Sequence, residues 1–301
     1  MTSERSITLA LIGRGKWGQN YINTINSGIP GIKLPSKNIF GRDYKEHLHD
    51  LSAEEVIVAS TTNTHFEVSL SLLEAGFLKL LIEKPVTQTL SEALELQDKA
   101  EALRALIMVG HIQLYDPAYQ EMLNKRKLVG EISQINFKGL KSNIREGVTT
   151  LQEWGPHPIY MCLDLLGRNP TSVSAILPKN SSEDNIILTL DFDQVQATAE
   201  IGYNYPDKRR EFTVTGDNGS LTLDWGGREK TLIYYKSDQP PQKLAFSTMD
   251  SPLKLEVLEF VRYIKGQIKP KSPLSQGVEV MRIIDLAEKS LEQKGKLLPL
   301  S

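Results

Sequence analysis

From Ile7 to Val109, short apolar runs alternate with segments of helical periodicity, the pattern of parallel strands joined by crossover helices. Ile7–Ile12, Glu55–Ser60, Leu78–Ile82 and Ala105–Val109 read as buried strands. Helices are expected over Lys16–Asn26, over Phe66–Ala75 with Val68, Leu72 and Ala75 on one face, and over Leu90–Leu103. Gly76 closes the second of these.

The pattern then changes. A helix from about Pro117 to Lys127, ended by Gly130, precedes a strand at Ile132–Phe137. Six further strand-like runs follow at Thr171–Leu177, Ile186–Leu190, Val195–Ile201, Arg210–Thr215, Ser220–Leu223 and Thr231–Tyr235, with turn sequences at Asp191–Gln194 and Gly216–Gly219. Strands in succession without helices between them predict an antiparallel sheet. Two closing helices carry apolar faces at Val257, Leu258, Val261 and Ile264, and at Val280, Ile283, Ile284 and Ala287. The expected fold is α/β: a Rossmann-type parallel sheet in residues 1–112, then an α+β domain with a mostly antiparallel sheet in 113–301. The last helix can pack on either domain.

Composition narrows the function classes. The chain has 301 residues, 40% of them hydrophobic and 24% charged, which excludes disorder and fibrous architectures. A net charge of −2 leaves no basic excess for nucleic acid or an anionic membrane. The single cysteine, Cys162, excludes an internal disulfide and is read as packing. No apolar run is long enough to span a bilayer, and Met-Thr-Ser-Glu-Arg-Ser leads into the first strand without signal-peptide anatomy, so a cytoplasmic protein is expected. His47 and His49 beside Asp50 suggest a metal, but two-residue spacing on a helix points them apart, and no metal site is expected.

Gly13-Arg14-Gly15-Lys16-Trp17-Gly18 fits G-x-G-x-x-G in the required context, after a strand and at the start of a helix. The first glycine permits the turn, the second admits a pyrophosphate, and the third lets helix and strand approach. A nicotinamide dinucleotide is the implied cofactor. The carboxylate usually found ~20 residues on, at the end of the fold's second strand, binds the ribose hydroxyls of NAD; it is missing from that region here, Ile32–Ile39. Ser36, Lys37 and Arg42 can instead accept a 2′-phosphate, which inclines the reading to NADP over NAD; the other reading makes Lys37 a solvated loop residue. The chain from Gly41 to Leu48 is short, as though a helix and part of a strand beside the adenosine site were trimmed.

Two further segments carry chemistry. Glu83-Lys84-Pro85 ends a strand, where parallel sheets present residues to ligands, and Trp154-Gly155-Pro156-His157-Pro158 leads into a helix expected over Ile159–Leu166, with His157 at its N-terminus and Glu153 just before. With the glycine loop, Thr61-Thr62-Asn63-Thr64-His65, Val109-Gly110-His111, Tyr115-Asp116-Pro117-Ala118, Leu128–Ile132 and Leu165-Leu166-Gly167, these resemble the glucose–fructose oxidoreductase / inositol dehydrogenase / MocA-like family over nearly the whole chain. Gly110-His111, Gly155-Pro156-His157 and Lys208-Arg209-Arg210-Glu211 are similar to members acting on sugar nucleotides.

The resemblance implies that the antiparallel sheet is large, open and a homo-oligomer interface. It implies that Lys84 holds the reacting oxygen, that His157 is the acid/base, and that Glu153 stands where the family usually has Asp, on the same helical face. Thr61, Thr62, Asn63 and His65 then line the cofactor together with Gly13 to Gly18, Glu83 and Lys84. Pro158 and Tyr160 replace an acid common in the family. An imidazole of pKa near ~6.5 suits proton transfer at neutral pH, and an ammonium stabilises a developing alkoxide. The expected activity is NAD(P)-dependent oxidation or reduction of a secondary hydroxyl or ketone on a sugar, cyclitol or sugar nucleotide. The alternative is a non-catalytic, cofactor-binding or regulatory member of the same fold.

Overall fold

The computed structural model describes residues 6–141, 147–179, 184–203, 205 and 207–300. The chain divides into two compact units, Met1–Ile112 with Asp250–Met281, and Gln113–Met249 with Arg282–Ser301. The switch at 112 coincides with the change of pattern in the sequence. The return after Met249 does not, because an amphipathic helix states that it needs a surface and not which one. Among the described residues, no helix is long and apolar enough to cross a membrane.

The first unit is a parallel sheet of β1 (Ile7–Ile12), β2 (Ile32–Lys33), β3 (Ile39–Phe40), β4 (Glu55–Val58), β5 (Lys79–Glu83) and β6 (Leu106–Gly110). The helices of its N-terminal stretch are α1 (Lys16–Asn26), α2 (His65–Glu74) and α3 (Leu90–Leu103). The spatial order is β2-β1-β4-β5-β6, with β3 also on β1. β1 thus uses one edge twice: Ile7 and Thr8 pair with Ile32 and Lys33, and Leu11 and Ile12 pair with Ile39 and Phe40. Pro35 has no N–H to continue the ladder, and a 3-10 turn at Ser36–Asn38 follows it. Buried Asn38 fills the gap by donating its Nδ2 to Leu9 O at 3.3 Å. The expected second strand is therefore two dipeptides, and it ends at Phe40. Between β3 and β4 the chain forms only a 3-10 run at Tyr44–Asp50, in keeping with the short segment seen in the sequence.

The second unit begins with α4 (Pro117–Lys125), β7 (Ile132–Leu140), α5 (Thr150–Trp154) and α6 (Pro156–Leu166). The strands β8 (Ser172–Ile176), β9 (Ile186–Asp191), β10 (Gln196–Gly202), β11 (Arg209–Gly216), β12 (Gly219–Asp224), β13 (Thr231–Tyr235) and β14 (Gln242–Leu244) follow. Near the C-terminus come α7 (Pro252–Ile264), α8 (Leu274–Glu292) and β15 (Leu298–Pro299); α7 belongs to the first unit and α8 is divided between the two. The nine-stranded sheet has the order β14-β13-β12-β11-β7-β10-β9-β8-β15, antiparallel except for β7 with β10. Burial alternates along its strands, as expected when helices cover one face. Gly139 lets Trp154 lie against the sheet, since a Cβ there would stand 2.6 Å from the indole.

Candidate active site

In the first unit the glycines of the loop do different work. Gly13 has φ +125°, and a Cβ there would run into Ala59 O; a Cβ on Gly18 would run into Gly13 O. Both positions are closed by backbone. Gly15, the N-cap of α1, would place a Cβ with nothing within 4 Å of it, so open space faces the helix N-terminus. The first turn of α1 has no acidic residue and no side-chain cap, which leaves its N–H groups and positive end for an anion. These features fit a pyrophosphate.

Gly13 N donates to Phe40 O at 2.8 Å, so the strand end beside the loop is Phe40. Ser36 and Lys37 are exposed on the turn before β3, not at that end. Gly41, Arg42 and Asp43 follow the end itself. Asp43 Oδ1 accepts from Gly41 N at 2.9 Å, and that N–H holds its carboxyl below the usual range. Arg14 donates to Ile39 O through Nη2 at 2.6 Å and Nε at 3.2 Å. The sequence pattern does not single out Asp43, because the interruption at Pro35 shifts the strand end beyond Ile39.

Glu83 is a buried hub. It accepts from Lys84 N at 3.2 Å, from Tyr21 OH at 2.7 Å and from Trp17 Nε1 in the glycine loop. Its β6 partner is Gly110, where a Cβ would lie 3.1 Å from the carboxylate. Tyr21 OH also reaches Glu256 Oε2, on α7, at 3.2 Å. Burial pushes both carboxyls up, and the charge of Glu83 raises Glu256 further. Bonds from Tyr21 and Trp17 and the charge of Lys84 partly offset the rise at Glu83. Burial, then the Lys84 ammonium, lowers His111 to about 3, so this histidine is neutral at pH 7.

Thr61 precedes a 3-10 turn at Thr62–Thr64; Thr62 is buried and Asn63 exposed. His65 opens α2, buried, with Nδ1 2.8 Å from Pro85 O and Nε2 3.2 Å from Ser60 O. It ties the segment after β4 to the segment after Lys84.

In the second unit, Pro156 lacks the N–H that would continue α5, so α6 starts there, three residues earlier than Ile159, and His157 falls in its first turn. His157 Nδ1 lies 3.0 Å from Tyr160 OH, and Tyr160 OH donates to Gln113 Oε1. The tautomer of His157 with its proton on Nδ1 donates to Tyr160 OH and carries its lone pair on Nε2; the tautomer protonated on Nε2 accepts from Tyr160 instead. Tyr160 thus meets the His157 ring from the next turn of α6. Glu153 lies in α5 and accepts from Lys141 Nζ at 2.6 Å and from Tyr203 OH. The Trp154 ring packs edge-on against His157 at 6.0 Å and carries the Arg210 guanidinium 4.9 Å from its centre.

The remaining candidates are structural. Cys162 is buried, which pushes its thiol up and away from thiolate chemistry. His47 and His49 lie within 3.9 Å and 3.6 Å of aspartates on the surface. Among the described residues, no group of three or more His, Cys, Asp or Glu could hold a metal. Asp116 caps α4 and accepts from Trp225 Nε1 at 3.0 Å and from Lys230.

Residues 36–111 match the sequence model of an oxidoreductase family described as its NAD-binding Rossmann fold, and residues 140–298 match that of its C-terminal alpha/beta domain. Scyllo-inositol 2-dehydrogenase (NAD(+)) of Bacillus subtilis (strain 168) is 25% identical over 260 residues, covering 73% of this chain and 74% of its own. The NADP(+)-dependent scyllo-inositol 2-dehydrogenase IolW of the same organism is 24% identical over 297 residues, covering 85% and 82%. A solved structure from Magnetospirillum magnetotacticum MS-1 is 30% identical with a TM-score of 0.81, covering 93% of this chain and 99% of that one.

Proposed function

Because the chain belongs to the Gfo/Idh/MocA oxidoreductase family and is an NAD(P)-dependent enzyme acting on CH–OH groups, we propose that its substrate is a sugar, cyclitol or sugar nucleotide. The observation that carries the cofactor half is the open space at Gly15 beside an uncapped helix N-terminus. Gly13 to Gly18 would hold the pyrophosphate, with Thr61, Thr62, Asn63 and His65 along the cofactor. The bound nicotinamide supplies a hydride acceptor or donor. Lys84 steadies the reacting oxygen and stabilises alkoxide charge. His157 takes or returns the hydroxyl proton at Nε2, the nitrogen that carries the lone pair in the tautomer donating to Tyr160. Glu153, neutralised by Lys141, positions this region.

For the cofactor's ribose, Arg42 at the strand end replaces Ser36 and Lys37 as the candidate reader of a 2′-phosphate, which keeps the inclination to NADP. Titration with NADH and NADPH, followed by Trp17 fluorescence and calorimetry, tests both points. Arg42→Ala is expected to weaken NADPH about tenfold and NADH little, the loss of one charge-assisted contact. Equal weakening of both cofactors would remove Arg42 from that role. Turnover is then sought with inositols and sugars, and Lys84→Ala is expected to abolish it while cofactor still binds. Cofactor binding with no turnover on any of them favours the regulatory reading. Assembly of copies through the nine-stranded sheet is tested by light scattering, where a monomer at micromolar concentration would exclude it.

A further inference from the structure

Among the described residues of the second unit, one half-buried cation is left without a hydrogen-bonded or ion-paired partner. Arg210 on β11 pairs with Gly139 on β7, and the bare glycine admits the Trp154 ring over which the guanidinium stacks. Lys141, just past the end of β7, lies 5.6 Å from the same ring and 5.1 Å from that of Tyr203. The nearby carboxylate, Glu153, is already engaged, since Lys141 Nζ sits 2.6 Å from its Oε1 and Tyr203 OH donates to its Oε2. Lys141 and Glu153 cancel, and one positive charge remains, on Arg210.

Among the described residues, that guanidinium makes no hydrogen bond or ion pair, and its Nε is buried without an acceptor. Burial lowers its affinity for a proton, and Glu153 and the Tyr160 hydroxyl act on it through space. A half-buried guanidinium presents a planar fork of N–H donors, and leaving them unmet is unfavourable. A planar carboxylate or a phosphate meets two of them at once. The position is also that of the proposed chemistry: Trp154 touches both Arg210 and His157, and Tyr160, which feels the Arg210 charge, is the partner of His157 Nδ1.

We propose that Arg210 binds an anionic substituent, a carboxylate or a phosphate, of the substrate, so that the enzyme acts on an acidic sugar or cyclitol derivative and not on a neutral polyol. This rests on His157 being the acid/base of the substrate site. Lys141 adds to the local field but is committed to Glu153. Arg210 selects substrates and does not take part in proton transfer.

Calorimetry of the full chain with acetate, inorganic phosphate, glucuronate, glucose 6-phosphate and glucose tests the assignment. Wild type is expected to bind at least one of the four anions at least about tenfold more tightly than glucose, with the preference falling as salt rises. Arg210→Gln is expected to erase that preference, and Arg210→Lys to restore part of it. Glucuronate and acetate alone would identify a carboxylate site, glucose 6-phosphate and phosphate alone a phosphate site, and both groups a site that reads charge. The melting temperature of Arg210→Gln is expected to hold or rise, because an unmet charge has been removed; a fall would mark a structural arginine and overturn the proposal. It is equally overturned if no anion distinguishes wild type from Arg210→Gln. NADH and NADPH titrations of the same samples keep the two readings apart. Cofactor binding without anion preference defeats only this inference, whereas absence of cofactor binding defeats the enzyme reading.

Discussion

Tyr21 has one proton for two buried carboxyls, Glu83 and Glu256, and Glu256 Oε1 has no hydrogen-bond partner among the described residues. Burial favours the neutral acid at both, and their charges repel, so at least one retains its proton at a pH where free glutamate has lost it. Above the ordinary value of 4.5 the unfolded chain has released a proton that the folded chain keeps. Folding stability from this pair is therefore fully present below 4.5 and is lost as pH rises through the raised native value. Glu256→Gln is expected to flatten that decline in urea midpoints measured from pH 4 to pH 8; an unchanged slope would show that the pair ionises freely. His111 works in the other direction: its native value of about 3 lies below the ordinary 6.5, so its contribution is present above 6.5 and lost as pH falls toward 3. Its ring signals in NMR are expected not to titrate between pH 5 and 8, and titration in that window would place it in contact with solvent. The side chains of the Glu-Lys-Pro motif were legible in the sequence. Their partners Tyr21 and Glu256 were not, because they lie 62 and 173 positions from Glu83 on helices whose outward appearance is ordinary amphipathic pattern.

At the scale of elements, most strands and helices follow from periodicity, and the differences have local causes. Pro35 splits the second strand, and Asn38 supplies the donor that Leu9 O would otherwise lack. Asn38→Ala leaves that buried carbonyl unmet and is expected to cost about 1–3 kcal/mol in chemical denaturation. A change under about 0.5 kcal/mol would mean that water or another group replaces it. Gly15 allows fold and binding to be separated. Gly15→Ala meets no neighbour within 4 Å, so the melting temperature should hold, while cofactor affinity drops at least about tenfold if a pyrophosphate approaches that backbone. Unchanged affinity would move the phosphates elsewhere. The boundary of α6 shows a different limit of pattern reading. Ile159 looks like the start because it is the first residue past two prolines, yet proline is well suited to a first helical turn, and the helix begins at Pro156.

For the whole molecule, the first unit is assembled from two stretches of chain. Leu253, Val257, Phe260 and Val261 of α7 are buried, and Val109 N donates to Ser272 O at 2.8 Å. Residues 1–112 alone are expected to be poorly structured, with broad amide signals in NMR, and a chain that joins 250–281 to them is expected to recover dispersion; a well-folded 1–112 fragment would deny α7 that role. The sequence by itself determined the alternation of strand and helix, the parallel-then-antiparallel order of the two sheets, the glycine loop and the identities of Lys84 and His157 as candidates. Each of these is written in neighbouring residues, through a side-chain period or a backbone constraint that acts within a turn. Tertiary structure alone decided that the second strand ends at Phe40, that α7 returns to the first unit, that Tyr160 OH lies beside His157 Nδ1, and that Arg210 Nε is buried with no acceptor among the described residues. Those outcomes depend on which surfaces and dipoles meet across long stretches of chain, and burial and charge balance are properties of that meeting.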